Sequence, residues 1–129
     1  MKTHTRKTGP VTFETVRGIA LALPGVEEGT TYGSPAYKVQ GKLLACIAVH
    51  SSAEKNSLAV KGIEAEERAA IIAGDPGTFY FTPHYANYPC VLVRLSKVRR
   101  ETLRGLLEMC WRRTAPKRLV DEFDRGQAR

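Results

Sequence analysis

The sequence predicts an α+β fold, a two-layer sandwich in which helices cover one face of an antiparallel sheet. Apolar residues recur at helical spacing near both ends of the chain, and short β-prone segments bounded by turn residues fill the middle. The predicted element order is α-β(3)-α-β(2)-α-α. The 129 residues fit one domain. We expect it over residues 11–125, between a flexible basic tail at 1–10 and a polar tail at 126–129.

The first predicted helix precedes a group of strands. Thr12 can cap this helix, Glu14 lies in its first turn, and Pro24-Gly25 ends it after Leu23. The segment from Gly29 to Gly33 is a candidate for an additional strand. The three strands counted in the predicted order are Ala36 to Gln40, Lys42 to His50, and Ser57 to Lys61.

The second half of the chain returns to helices after two strands. Gly74-Asp75-Pro76-Gly77 is a strong turn signal that ends the second helix. Ser96 is the expected cap of the third helix, and Thr114 is the expected cap of the last. The predicted elements are helix Glu64 to Ala73, strands Thr78 to Phe81 and Cys90 to Leu95, helix Lys97 to Arg113, and a final helix through Phe123.

The composition excludes several classes of protein. No run approaches the roughly 20 apolar residues of a membrane helix, and 43% hydrophobic with 26% charged residues is typical of a globular chain. The chain has three widely spaced cysteines, Cys46, Cys90 and Cys110, which argues against a disulfide framework and a zinc site. The three histidines show no metal-ligand spacing. No dinucleotide, phosphate-loop or zinc-protease motif is present. We therefore expect a cytoplasmic, non-enzymatic protein without a membrane segment, cofactor or metal.

The positive charge is concentrated at the C-terminal end. The chain carries +7 overall, and residues 97–129 hold ten basic and five acidic side chains. Such a field attracts polyanions, although a charged surface also simply keeps a protein in solution. Arg104, Glu108 and Arg112 are spaced for a salt-bridge ladder along one helix face.

A second basic group surrounds the junction of the last two helices. Arg112, Arg113, Lys117 and Arg118 lie within seven residues with no acid between them, so we expect an unpaired phosphate-contact cluster. The alternative is that one or two of them neutralise the C-terminal dipole of the third helix. Lys38 and Lys42 flank a predicted tight turn and are candidates for a basic hairpin tip.

The segment from Thr82 to Pro89 is a stiff loop rich in functional side chains. Two prolines restrict its backbone, and stiff loops hold side chains in fixed positions. Tyr85 and Tyr88 could stack on bases, or could cover the end of the core with their hydroxyls bound to backbone groups. His84 could contact a phosphate. It is also the best catalytic candidate, but catalysis would require a nucleophile or an acid beside it.

Three runs of the sequence together resemble the MmcQ/YjbR family. The likeness extends in order over about residues 12–124. The runs are Leu23-Pro24-Gly25-Val26-Glu27-Glu28 followed by Tyr32 to Lys42, then Thr82-Pro83-His84-Tyr85 with Tyr88-Pro89-Cys90-Val91, then Cys110-Trp111 with Ala115-Pro116-Lys117-Arg118-Leu119.

The resemblance implies a two-layer fold similar to the frataxin-like protein CyaY and to type III secretion chaperones. It also implies DNA binding through a double wing of β-hairpins, in a family without an established reaction. The matched positions include Lys42, the loop at 82–89 and Lys117-Arg118. Frataxins hold iron through an acidic first helix, whereas the first helix here offers only Glu14, so iron binding is not expected.

Two functions therefore stay open. The first is DNA binding, mainly through phosphates. The second is a non-enzymatic module that binds a protein or a small ligand, with the His84 loop lining the site. The residues expected to contact DNA are Lys38, Lys42, His84, Tyr85, Tyr88, Arg112, Arg113, Lys117 and Arg118.

Overall fold

A computed structural model describes residues 10–127, which contain four α-helices and six β-strands. Most of the predicted N-terminal tail, residues 1–9, and the last two residues lie outside the described range. The elements are α1 (Phe13–Leu21), β1 (Val26–Thr31), β2 (Ser34–Val39), β3 (Lys42–Ile47), β4 (Ser57–Lys61), α2 (Ala65–Gly74), β5 (Phe79–Tyr80), a 3₁₀ turn (Pro83–Tyr85), β6 (Cys90–Arg94), α3 (Arg100–Thr114) and α4 (Lys117–Gln127).

The strands form one antiparallel sheet in the order β1-β2-β3-β4-β6-β5, which confirms the predicted fold class. The predicted strand count is wrong in one respect, because four strands rather than three precede α2. The additional strand, β1, begins at Val26 and ends before Tyr32-Gly33, which form the β1–β2 turn with positive φ at both residues. As an edge strand with only Val26 buried, β1 lacks the run of buried apolar residues that identifies the internal strands β3, β4 and β6.

Two helix starts differ from the sequence prediction. Thr12 caps α1 through a reciprocal pair of contacts with Thr15, as predicted for this end of the helix. Ser96 caps no helix, because the amides of Lys97 and Val98 first bind the Arg94 carbonyl in a turn and α3 begins only at Arg100. The Thr114 hydroxyl donates back to the Cys110 carbonyl within α3, so it does not cap α4.

The helices cover one face of the sheet, where the main apolar core lies. Tyr37, Val60 and Val91 from the strands meet buried residues of α1 and α3 there. Trp111 is fully buried, and its Nε1 donates to the Pro24 carbonyl at 2.9 Å, which fixes α3 against the end of α1. No helix within residues 10–127 is long and apolar enough to cross a membrane.

The opposite face of the sheet has no α-helix among the described residues packed on it. Its buried residues form a separate, smaller cluster of Ala36, Cys46, Ala59 and Leu92. Cross-strand pairing brings these four into one row that runs from Gly29 on β1 to Leu92 on β6. Because most of this row is small, the open face is depressed along its middle.

The small space around Gly25 shows that α4 packs closely against the turn after α1. Its φ is +76°, and a Cβ built there would lie 2.6 Å from Leu119 Cδ1, whereas Gly41 has a similar φ of +80° with open space around it. We expect Gly41→Ala to cost about 1 kcal/mol from left-handed backbone alone. Gly25→Ala should cost about 1–3 kcal/mol more, because Leu119 must move. Urea denaturation of both variants measures the difference, and equal losses would contradict the close contact.

Candidate functional site

A depression of about 420 Å³ lies on the open face of the sheet, beside the loop between β5 and β6. Ligand pockets typically occupy a few hundred cubic ångströms and are mainly apolar. The surface of this depression is mostly apolar as well. Its lining residues are Thr31, Tyr32, Leu43, Cys46, Ile47, Val49, His50, Ala59, Lys61, His84, Tyr85, Tyr88 and Cys90.

Small side chains from neighbouring strands form the floor. Cys46 pairs with Ala59 across β3 and β4, and Cys90 pairs with Lys61 across β4 and β6. Successive residues of a strand point to opposite faces, so Ala59 and Lys61 share the open face while Val60 packs against the helices. The same alternation on β6 places Cys90 on the open side.

Aromatic rings form the rim. The imidazoles of His50 and His84 stack with 3.5 Å between centroids and 8° between planes. Tyr85 lies edge-on to both rings, at 6.3 Å from His50 and 4.9 Å from His84. The Tyr85 hydroxyl accepts a hydrogen bond from the His50 backbone amide at 3.4 Å, as in the alternative in which this hydroxyl binds a backbone group. Tyr88 and Tyr32 remain 49% and 84% exposed.

Hydrogen bonds join the two loops that carry the histidines. The Ser52 amide donates to His50 Nδ1 at 3.1 Å, so the neutral ring carries its hydrogen on Nε2. The Ser52 hydroxyl lies 2.8 Å from the same nitrogen and 2.7 Å from the Thr82 hydroxyl. The loop after β3 is therefore connected to the start of the His84 loop, which holds the two rings in register.

A buried arginine positions the His84 loop from below. Arg68 on α2 is 5% exposed, and its guanidinium donates to the carbonyls of Tyr85, Ala86, Tyr88 and Cys90 at 3.0–3.4 Å. The Phe81 ring lies 4.1 Å below the guanidinium carbon. One side chain thus binds four backbone carbonyls between Tyr85 and Cys90, and at Tyr85 and Tyr88 it adds to a turn hydrogen bond that the carbonyl already accepts.

The thiols on the floor are unreactive. Burial raises the pKa of Cys46, and it raises the pKa of Cys90 to about 11; the opposing positive charges are Lys61 for Cys46, and Arg68 followed by Lys61 for Cys90. Both thiols are therefore protonated at neutral pH and offer no thiolate nucleophile to His84. Within residues 10–127, no three His, Cys, Asp or Glu side chains gather in a way that could hold a metal ion.

The predicted site residues do not come together in one place. His84, Tyr85 and Tyr88 line the depression. Lys38 and Lys42 lie on the hairpin formed by β2 and β3, at the opposite end of β2 from the Tyr32 turn, and neither lines the depression. Lys38 donates to the Thr30 carbonyl at 3.2 Å, and Lys42 is exposed.

The predicted unpaired cluster at the α3–α4 junction is wrong for three of its four members. Arg112 binds Asp124 at 2.6 Å and Glu108 at 3.2 Å. Its hydrogen bond holds the pKa of Asp124 below the usual range. The Glu108 contact confirms one step of the predicted ladder on α3.

The ion pairs of Arg113 and Lys117 show why the sequence wrongly predicted an unpaired cluster. Arg113 binds Glu67 on α2 at 2.7 Å and lowers its pKa, and Lys117 binds Asp121 at 2.9 Å. The absence of acids between the four cations along the chain does not matter, because the partners come from the preceding turn, the following turn and another helix. Arg118 is exposed and has no ion-pair partner within residues 10–127.

Sequence reasoning missed four residues of the site. Arg68 and His50 act through partners 17 to 35 residues away, and no local pattern identifies such contacts. Tyr32 lies in a turn that the sequence placed inside a candidate strand. Lys61 alone had a usable signal, because alternation along Ser57 to Lys61 places it on the same face as Ala59.

Arg68→Met tests whether the guanidinium supports the His84 loop. We expect a loss of about 3 kcal/mol in unfolding free energy, because four carbonyls lose a charged donor. Hydrogen exchange of the Tyr88 and Cys90 backbone amides should also become faster, because these amides donate to carbonyls that Arg68 holds in place. The control is Arg17→Met, which removes an exposed ion pair with Glu28 and should cost less than about 1 kcal/mol. Equal losses for the two variants would contradict the assignment.

Comparisons with known proteins agree on the family and the fold. A family model described as YjbR matches residues 21–113. The uncharacterised proteins Mb2600 of Mycobacterium bovis and Rv2570 of Mycobacterium tuberculosis are 44% identical to this chain over 54 residues, which cover 42% of this chain and 42% of each relative. The chain thus spans less than half the length of these curated relatives.

A solved structure gives the same result for the fold. Deinococcus radiodurans protein DR2400, whose domain is assigned to DUF419, superposes with a TM-score of 0.64 at 20% identity, over 81% of this chain and 79% of that chain. At this identity the likeness concerns the fold alone. The family model, by contrast, matches well over half of the sequence, and the chain therefore belongs to the YjbR family.

Proposed function

We propose that this protein is a non-enzymatic module that binds a small, flat, apolar molecule in the depression on the open face of its sheet. The observation that carries the proposal is the depression itself, with an apolar floor of small residues and an aromatic rim. The His84 loop lines this site.

The dimensions and chemistry of the depression suit such a ligand. Its volume of about 420 Å³ falls within the range of sites for drug-sized molecules. Five of its lining residues are aromatic, including the histidines, and aromatic rings favour stacked or edge-on contacts with flat partners. The Arg68 contacts and the bridge through Ser52 hold the rim in place before a ligand arrives, which reduces the entropy lost on binding.

The polar side chains in and beside the depression favour a site that binds a ligand over a site that catalyses a reaction. The thiols of Cys46 and Cys90 are protonated at neutral pH, as their raised pKa values require. His50 and Ser52 are close, but the Ser52 amide also donates to the same imidazole nitrogen, which is typical of a local turn. Within residues 10–127, no carboxylate forms a hydrogen bond with either imidazole, so neither ring has an orienting acid.

A neutral fluorescent naphthalene such as Prodan tests the site. We expect saturable binding with a blue-shifted emission, because the probe leaves water for an apolar surface. Ala59→Phe should weaken binding at least tenfold by filling the floor. Ala69→Phe makes the same change on the exposed surface of α2 and should leave binding unchanged. Equal binding by both variants, or no saturable binding by the wild type, would contradict the proposal.

A second candidate function is DNA binding, which the family resemblance implies and the net charge of +7 favours. The ion pairs of Arg112, Arg113 and Lys117 weigh against the cluster at the α3–α4 junction as the main contact. The better candidates are Arg100 and Arg104, which are exposed, four residues apart on α3, and have no ion-pair partner within residues 10–127.

Fluorescence anisotropy with a random DNA duplex at several salt concentrations tests this second candidate. Each phosphate neutralised contributes a slope of about −0.9 in log affinity against log salt. Replacing both Arg100 and Arg104 with Gln should therefore reduce the slope by about 1.8 if each contacts one phosphate. Lys55→Gln, a change at an exposed lysine elsewhere, serves as the control. Absence of binding at low salt would rule DNA out.

A further inference from the structure

We propose that the ligand of the depression carries one negative charge on its flat apolar body, a carboxylate on an aromatic ring system, and that Lys61 binds this charge. The inference rests on the proposed function and specifies its ligand class. It is carried by the position of Lys61 and by the charges of the groups around it.

Lys61 points into the depression from the last position of β4. Ser57, Ala59 and Lys61 share the open face, and Lys61 lies opposite Cys90 on β6. Its side chain is half-buried among the apolar floor residues. Lys61 is one of the residues that line the depression, together with Cys46, Ala59 and Cys90 of the floor.

No negative group of the described chain neutralises this ammonium. Lys61 has no ion-pair partner within residues 10–127, although five other cations of that range have one or more. The lining of the depression contains no Asp or Glu. The other lining side chains able to become positive are His50 and His84, so the charged groups of the lining are complementary to an anion.

An incoming anion would supply the counter-charge that the Lys61 ammonium lacks among the described residues. A carboxylate of the ligand supplies that counter-charge where water is partly excluded, so the interaction is stronger than at an exposed site. The apolar body of the same ligand covers the floor of Cys46 and Ala59. One amphiphilic small molecule thus satisfies both features of the site.

Two probes of equal shape separate charge from shape. Isothermal titration calorimetry would compare 2-naphthoate, a monoanion, with 2-naphthamide, its neutral counterpart. We expect the wild type to bind the naphthoate about tenfold more tightly. Lys61→Met keeps the apolar stem and should remove this preference while leaving the affinity for naphthamide unchanged. Lys61→Arg should retain the preference. Lys42→Met, at the exposed hairpin turn, should behave as the wild type.

Each result has a definite meaning. Equal affinity of the wild type for both probes overturns the anion inference and leaves the proposed function standing. Equal loss of both probes in folded Lys61→Met also overturns it, because Lys61 would then only shape the floor. If neither probe binds the wild type and Prodan also fails, the proposed function and the inference fall together.

Discussion

The Arg68 guanidinium is a buried cation whose counter-charge is a set of peptide dipoles rather than a carboxylate. Carbonyls of the β5–β6 loop converge on it from above and the Phe81 ring lies beneath it. A planar group with five donors in a fixed fork can satisfy several acceptors at once, which a lysine cannot do. The direction in which the loop leaves the sheet, and therefore the position of its rings, depends on this one side chain of α2.

The charged surface follows a different principle from the open face. Most of the arginines in ion pairs connect separate elements, as Arg113 on α3 does with Glu67 on α2 and Arg94 on β6 does with Glu54. Exposed pairs contribute little stability each, but they neutralise charge locally. Arg113 takes its partner from outside the basic C-terminal stretch, whereas Lys61 has no ion-pair partner within residues 10–127.

The sequence predicts the fold well and the site only in part. Periodicity identifies α3, whose apolar residues form one buried stripe, and a continuous apolar run identifies β6, which is buried on both faces. It misses β1, since an edge strand with one buried residue has no such pattern. The His84 loop is recognisable from its composition, but the stacked partner at His50 is not, because it is brought there by the pairing of distant strands. Ion-pair partners are missed for the same reason.

Side chains alternate along the central strands, so neighbouring residues belong either to the core under the helices or to the open face of the sheet. Val60 and Val91 contribute to the core under the helices, while their neighbours Ala59 and Cys90 form the opposite surface. Substitutions in the second group alter a surface without removing contacts from the first. On such a scaffold, single substitutions can alter the shape of the open face while the core under the helices keeps its contacts.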